Sequence, residues 1–294
     1  MDRFDFPKPL VRVTAGPGGE AVLALCKEKT VLHDCGMACF HEELIKNIEK
    51  ALDGRDLDYI VLSHSHYDHM GALPYLIERW PNVLVCGGKK SQEVFLRQGA
   101  QNTILSMGKS AAQLYGKDPE QVHVDGIRID IVLNDGDVLK LGKNESITAI
   151  ETKGHTDCSM TYLLKPYGIL LLSESTGIVE ETGNMHTSVL KSFEQTFDAA
   201  AKLKKLDFQY ILVPHYGILD PEKNDTYFDT YIYEAKREKN LIEGWIKQGL
   251  SLDEIFEEHK KVYWNAVRAE NHPYRAYKMN TEIIIKRMIA EQQN

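Results

Sequence analysis

Residues 59–71 constrain the fold more than any other stretch, because a short apolar run leads directly into three histidines and an aspartate within six residues. The apolar run Tyr59–Leu62 predicts a buried strand. Polar residues that follow such a strand lie at its carboxyl end, where an open sheet usually places its ligands. The stretch therefore predicts a strand that carries a group of metal-binding side chains to one edge of a sheet.

The histidine cluster (residues 64–69) contains the side chains that transition metals prefer. His64 and His66 are two residues apart, so an extended backbone directs both imidazoles to the same side. Asp68 and His69 are adjacent and point differently, which suits a second ion. Imidazole and carboxylate ligands fit zinc, and they fit iron or manganese where oxygen ligands dominate. A loop that is merely rich in histidine is a poor explanation for this density of ligands.

Other predicted strands also end in candidate ligands. The residues that follow them are His155, Glu174 and His215. Side chains at the ends of neighbouring strands can converge on one site. The chain therefore carries enough ligands for more than one metal ion.

The order of these groups resembles the metallo-β-lactamase-fold hydrolases, and in particular their glyoxalase-II-like branch. The resemblance rests on HxHxDH at residues 64–69, Gly-His-Thr at 154–156, an acidic residue at 174 and a late histidine at 215, and it runs from about Val11 to Gly217. It implies an α/β fold, an αββα sandwich of two mixed β-sheets with outer helices.

The resemblance also implies a dinuclear metal centre. Its first ion is held by His64, His66 and His155, its second ion by Asp68, His69 and His215, and Glu174 bridges the two. Asp68 is in addition the catalytic residue that accepts a hydrogen bond or proton from the attacking water. Glu174 departs from the family, which usually has Asp there. The longer side chain can shift the bridge, weaken binding of one metal or bind only one, and the alternative is an exposed Glu174 near the site with no bridging carboxylate.

The first 60 residues predict three strands followed by a β-α-β step. Asp34-Cys35-Gly36 resembles the Asp-x-Gly that ends the third strand in this family, which implies that Asp34 holds the histidine cluster by hydrogen bonds, although an ordinary turn Asp is an equal alternative. The helical periodicity of His41–Leu52 predicts the crossover helix.

The C-terminal part of the chain has a different composition. Ser188–Leu206 predicts an amphipathic helix, and residues 222–294 predict two or three helices with breaks near Gly249 and His272-Pro273. We therefore expect a hydrolase domain over residues 1–220 and a helical extension over residues 221–294.

Bulk properties exclude several classes of partner. A net charge of −8 argues against a nucleic acid polymer, because phosphate binding needs a basic face. No signal core and no apolar stretch of about 20 residues is present, so we expect no membrane partner and a cytoplasmic location. Five cysteines do not suggest a disulfide framework. Association as a homodimer is left open.

The sequence favours a metal-dependent hydrolase with two divalent metal ions, zinc before iron or manganese. Such a centre activates water as hydroxide, and we expect it to cleave a small-molecule substrate, an ester, thioester, lactone or amide. One alternative is a phosphodiesterase acting on a small phosphodiester. Another is a metal-stabilised ligand-binding or regulatory protein with little turnover. A flavodiiron redox role is disfavoured, because those relatives have Glu where this chain has His66.

Overall fold

Most strands of the protein belong to two six-stranded β-sheets, and helices flank them. The computed structural model describes residues 5–180, 182–271 and 273–292. Both sheets contain parallel and antiparallel neighbours. The predicted fold class, an α/β sandwich of two mixed sheets with outer helices and additional C-terminal helices, is therefore confirmed.

The first sheet takes its strands from the N-terminal half of the chain in sequence order. They are β1 (Leu10–Arg12), β2 (Val22–Leu25), β3 (Thr30–His33), β4 (Tyr59–Val61), β5 (Leu84–Gly88) and β6 (Ile131–Leu133). Strands β1 to β3 pair antiparallel, and β3 to β6 pair in parallel. Helix α1 (His41–Leu52) makes the predicted crossover from β3 to β4. Because β3 and β4 are parallel, the residues that follow them meet at the same edge.

The second sheet contains the later strands in the order β14-β13-β10-β9-β8-β7. They are β7 (Val138–Lys140), β8 (Ser146–Glu151), β9 (Met160–Lys165), β10 (Ile169–Leu171), β13 (Tyr210–Val213) and β14 (Gly217–Ile218). Strands β10 and β13 pair in parallel, and the other neighbours pair antiparallel. The sequence pattern did not predict β9. Its first five residues are all buried, so the strand lacks the alternation of polar and apolar residues that identifies a half-exposed strand.

Apolar side chains from both sheets form one core. The contributing residues include Leu10, Val22, Val31, Val61, Cys86, Ile147, Tyr162, Leu164, Leu171 and Leu212. The hydroxyl of the fully buried Tyr162 donates a hydrogen bond to the Leu62 carbonyl oxygen (2.7 Å), and the amide of Met160 donates to the Ser63 carbonyl oxygen (2.7 Å). These two bonds connect β9 to the residues immediately before the histidine cluster.

A second core lies between helices and the first sheet. Besides α1, the helices of this region are α2 (Tyr67–Met70), α3 (Leu73–Arg79), α4 (Lys89–Phe95) and α5 (Gln98–Leu114). Buried residues of α1, α3 and α5, among them Ile48, Leu76 and Ile104, pack in one cluster with Leu32 and Ile60. Strands β3 and β4 are therefore apolar on both faces, as expected for parallel strands inside a sandwich.

The chain divides into two compact units that are interleaved in sequence. The first comprises Met1–Glu151, Cys158–Ser173 and Asp207–Pro221, and the second comprises Thr152–Asp157, Glu174–Leu206 and Glu222–Asn294. Both large sheets belong to the first unit. The predicted division into residues 1–220 and 221–294 stays a prediction.

The second unit contains a short hairpin, β11 (Ile178–Val179) and β12 (Met185–His186), and helices. Within the described residues these are α6 (Phe193–Leu203), α7 (Asn224–Lys247), α8 (Leu252–Tyr263), α9 (Ala266–Asn271) and α10 (Tyr274–Gln292). Helix α8 begins with a capping box formed by Ser251 and Glu254. No helix in residues 5–180, 182–271 or 273–292 is long and apolar enough to cross a membrane.

Two helix predictions need correction. Helix α6 begins at Phe193 rather than Ser188, because the Ser192 hydroxyl accepts a hydrogen bond from the Gln195 amide and caps the helix there. The described residues 224–271 and 273–292 form four helices rather than two or three. The sequence did not predict the break at Trp264 and Asn265, where the Asn265 side chain accepts a hydrogen bond from the Arg268 amide. An Asn cap was its only sequence signal, since no Gly or Pro stands there, and His272 of the predicted later break lies outside the described residues.

Candidate metal centre

The histidine cluster follows β4 as an extended segment that becomes helix α2. His66 has an extended backbone (φ −73°, ψ 145°) and directly precedes the helix. The rings of His64 and His66 lie with their centroids 4.5 Å apart, so both imidazoles are on the same side, as predicted. His64 and His69 are completely buried. The extended start explains the first pair, and the helical turn redirects the side chains that follow.

Asp34 holds this segment from the end of the neighbouring strand β3. Its carboxylate accepts hydrogen bonds from the Ser63 amide (2.7 Å) and hydroxyl (2.6 Å), and its Oδ2 lies 2.8 Å from His69 Nδ1. Burial raises the pKa of Asp34, but His33, His69 and Ser63 outweigh it and hold that pKa below its ordinary value. The prediction that Asp34 positions the histidine cluster is confirmed. A carboxylate at Nδ1 keeps the proton there, so Nε2 of His69 presents its lone pair.

Three side chains of the first unit converge on one point. His69 Nε2 lies 3.2 Å from His215 Nε2, and Asp68 Oδ2 lies 3.8 Å and 3.7 Å from these two nitrogens. His215 follows β13 in a left-handed conformation (φ 60°). Donor atoms about 2.1 Å from a tetrahedral zinc ion are about 3.4 Å from one another. The spacing and chemistry of Asp68, His69 and His215 therefore fit a divalent cation.

His155 and Glu174 belong to the second unit and face each other. His155 Nε2 lies 3.5 Å from Glu174 Oε2, and both side chains are buried. The alternative that Glu174 is an exposed residue is therefore wrong. His155 Nδ1 is 2.6 Å from the Ser188 carbonyl oxygen, and the Ser188 hydroxyl donates a hydrogen bond to Glu174 Oε2 (2.7 Å). Because a carbonyl oxygen only accepts, Nδ1 carries the proton and Nε2 is the nitrogen able to bind a metal.

The seven predicted metal ligands are thus divided between the two units. The first unit contains His64, His66, Asp68, His69 and His215, and the second contains His155 and Glu174. Each ligand comes from the residues after a strand, as predicted. Their assignment as metal ligands, and the catalytic role of Asp68, stay predictions.

Two further residues of the first unit border the histidine cluster. The Cys158 thiol lies 3.3 Å from the Ser65 hydroxyl, so this cysteine lies beside the cluster, and its burial excludes an exposed reactive thiol. Gly19 approaches still closer, because a Cβ added there would lie 2.6 Å from His69 Nδ1. Gly19 was not among the predicted site residues, and the run Gly16-Pro17-Gly18-Gly19 was the sequence signal available for it.

Comparison with known proteins identifies the family. The sequence family model of the metallo-beta-lactamase superfamily matches residues 21–215, which include all seven candidate ligands. The chain belongs to the metallo-beta-lactamase superfamily. Hydroxyacylglutathione hydrolase of Buchnera aphidicola is 32% identical over 126 residues, which cover 43% of this superfamily member and 36% of that protein. Anaerobic nitric oxide reductase flavorubredoxin of Vibrio vulnificus is 36% identical over 79 residues, 27% of this chain and 16% of that protein.

A solved structure shares the fold of this chain. An archaeal metallo-beta-lactamase superfamily protein from Sulfolobus tokodaii superposes with a TM-score of 0.58 at 18% identity, covering 78% of this chain and 86% of that one. At this identity the likeness shows the shared fold. The aligned segments span only about a third and a sixth of the two sequence relatives, so this metallo-beta-lactamase superfamily member shares with them a limited part of their length.

Proposed function

We propose that this protein is a metal-dependent hydrolase that cleaves a small ester, thioester, lactone or amide. The observation that carries the proposal is the convergence of Asp68, His69 and His215, with their donor atoms all within 4.8 Å of one another. Asp34 orients His69 toward this point through a buried hydrogen bond. A buried carboxylate that orients a histidine in this way is typical of metal ligands in enzymes.

The complete centre that we propose holds two divalent cations. Its ligands are His64, His66 and His155 for one ion, Asp68, His69 and His215 for the other, and Glu174 between them. Family membership and the strand-end position of every residue support this set. Five imidazoles favour zinc, whereas iron and manganese are alternatives that the two carboxylates also suit.

What bound divalent cations supply in such a centre is a lowered pKa of water and polarisation of the attacked carbonyl oxygen. The residues of this chain orient the reacting groups and provide a proton acceptor. The Asp68 side chain is 17% exposed, so solvent reaches its carboxylate, and we propose that it accepts a hydrogen bond or proton from the attacking water. The carboxylate oxygens of Asp34 are occupied by Ser63 and His69, so Asp34 takes no part in that proton transfer.

The substrate class is proposed from the family and from one relative. Hydroxyacylglutathione hydrolase, by its name, acts on a thioester of glutathione, and a small thioester is therefore the first substrate to test. A small phosphodiester is the alternative within hydrolysis. The net charge of −8 supports a small-molecule substrate over a nucleic acid polymer. A cytoplasmic location remains a prediction.

A redox function is the second candidate, because the flavorubredoxin segment is 36% identical to this chain. Against it stands His66, where the flavodiiron relatives have Glu. A carboxylate at this position favours iron, whereas a third imidazole beside His64 and His155 favours zinc. We therefore place hydrolysis first.

Metal analysis and turnover test the proposal together. We expect close to two metal ions per chain by elemental analysis, and hydrolysis of generic thioesters that is lost on metal removal and regained on reloading. His66→Ala should lose both metal and rate, and His123→Ala, which changes a partly exposed histidine of the same unit, should keep both.

Other outcomes separate the alternatives. Faster turnover of bis-p-nitrophenyl phosphate than of any thioester, ester, lactone or amide identifies a phosphodiesterase. Metal binding without turnover of either substrate indicates the regulatory alternative. A folded protein that binds no metal after reloading would overturn the proposal entirely.

A further inference from the structure

Ser188 contacts both candidate ligands of the second unit. Its hydroxyl donates to Glu174 Oε2 (2.7 Å), and its carbonyl oxygen accepts from His155 Nδ1 (2.6 Å). One residue thus orients the carboxylate and also sets which nitrogen of the imidazole carries the proton. The Ser188 hydroxyl is itself buried, so its hydrogen bond is not exchanged for one with bulk water.

Ser188 makes these contacts from a left-handed backbone conformation (φ 51°). Residues other than Gly and Asn rarely adopt it, so neighbouring contacts have to hold it. The Ser188 amide donates to His186 Nδ1 (3.1 Å). The hydroxyl of Thr187 donates to Glu238 Oε2, and the hydroxyl of Tyr231 donates to the Thr187 carbonyl oxygen (3.5 Å). The backbone directly before Ser188 is therefore anchored.

Glu238 connects this anchor to the C-terminal helices. It lies on α7, and its Oε1 is 2.9 Å from Nε2 of His259 on α8. His259 Nδ1 is in turn 2.8 Å from the hydroxyl of Tyr277 on α10. All three side chains are buried. A buried carboxylate is costly unless it is paired and hydrogen-bonded, and here Thr187 and His259 satisfy both of its oxygens.

We propose that Ser188 is a positioning residue for Glu174 and His155, and that Glu238 of α7 holds Ser188 in place through Thr187. The proposal rests on the proposed function, since it assumes that Glu174 and His155 bind metal. It also accounts for the departure of this chain from the family pattern. Glu has one more rotatable bond than Asp, and the hydroxyl of Ser188 restricts that freedom on the side of Oε2.

Two substitutions separate the hydroxyl from the backbone. Ser188→Gly removes the hydroxyl but suits the left-handed backbone and keeps the carbonyl oxygen that His155 contacts. Thr187→Val has the same shape as Thr and removes the donor to Glu238, whereas Thr187→Ser retains that donor. Glu234→Gln is the matched control, because Glu234 lies one turn earlier on α7 and pairs with the exposed Arg237.

The measurement is zinc affinity of the full chain by chelator competition, together with the visible absorption spectrum of the cobalt(II)-loaded protein. We expect Ser188→Gly and Thr187→Val to bind the weaker zinc ion about tenfold or more less tightly, with an altered cobalt spectrum. Thr187→Ser and Glu234→Gln should match the wild type. A purely structural role for Thr187 would lower the melting temperature of the metal-free protein and leave zinc affinity and the cobalt spectrum unchanged.

Unchanged zinc affinity and cobalt spectrum in Ser188→Gly would overturn the proposal, and this variant decides alone if Thr187→Val does not fold. Wild-type affinity in a folded Thr187→Val would overturn the role of Glu238. Failure of the proposed function is distinguishable, because there the wild-type protein itself binds no zinc.

Discussion

His69 Nδ1 lies 2.8 Å from Asp34 Oδ2, and this buried contact joins the ends of the parallel strands β3 and β4. Asp34 also accepts two hydrogen bonds from Ser63, so one carboxylate fixes both the start of the histidine cluster and one of its rings. The pairing of β3 with β4 in the first sheet therefore positions the histidine cluster.

Asp34→Asn tests this relationship. The amide has no charge and only one accepting oxygen, so His69 and Ser63 cannot both keep their partners. We expect metal affinity to fall about 10- to 100-fold and the free energy of unfolding to fall by about 2 kcal/mol. Chelator competition and chemical denaturation measure the two effects.

Asp58→Asn is the matched control for that substitution. Asp58 directly precedes β4 and accepts a hydrogen bond from the amide of Thr30, the first residue of β3 (2.9 Å), so it joins the same two strands at their opposite end. It should lose stability and keep metal affinity. Equal losses of metal affinity in both variants would mean that the sheet, and not the orientation of His69, governs metal binding.

Gly19→Ala should disturb His69 by contact. A Cβ at this position would lie 2.6 Å from His69 Nδ1 and 2.9 Å from the Asp68 carbonyl oxygen, closer than van der Waals contact allows. We expect weaker metal binding and a loss of about 1–3 kcal/mol in stability. Gly99→Ala, where a Cβ meets nothing within 4 Å, should leave metal content and melting temperature unchanged or slightly raise the latter. Wild-type metal affinity in Gly19→Ala would show that the loop yields without moving His69.

Glu174 is tested by shortening and by neutralising its side chain. Glu174→Gln should lose one metal ion or bind it far more weakly, because a neutral amide cannot offset two dications. Glu174→Asp should keep some metal and lower the rate, because the shorter side chain moves its carboxylate away from the Ser188 hydroxyl that donates to Glu174 Oε2. Metal stoichiometry and hydrolysis rates decide. Full occupancy with wild-type rates in Glu174→Gln would remove Glu174 from the proposed centre.

Glu238 should contribute a pH-dependent part of the stability. Burial raises its pKa, but hydrogen bonds and charge from His259, with Thr187 and Arg268, outweigh burial and lower the pKa below the ordinary 4.5. Because the pKa of Glu238 is lower in the folded state, its ionised carboxylate stabilises the protein at pH values above the ordinary pKa of Glu. This contribution is lost as the pH falls through the folded-state pKa.

The melting temperature, measured from about pH 6 to about pH 3, should therefore fall more steeply with decreasing pH for the wild type than for Glu238→Gln. Glu282→Gln, which changes a partly exposed carboxylate on α10, should follow the wild-type pH dependence. Parallel curves for the wild type and Glu238→Gln would exclude the pKa shift as a source of stability.

The sequence alone was sufficient for features that depend on neighbouring residues. The apolar run before His64 predicted β4, and the periodicity of residues 41–52 predicted α1. Its limits appear where local patterns are absent. Strand β9 is buried along almost its whole length, and the break at Trp264 and Asn265 carries only a weak cap signal.

Only the tertiary structure decided which residues orient Glu174 and His155. Ser188 lies 14 residues from Glu174 and 33 from His155, and Thr187 lies 51 from Glu238. Nothing in the local sequence distinguishes these hydroxyls from ordinary surface serines and threonines. Their role arises from a left-handed backbone and from helices packed far along the chain, because hydrogen-bond partners are set by distance in space, which a pattern of local propensities does not encode.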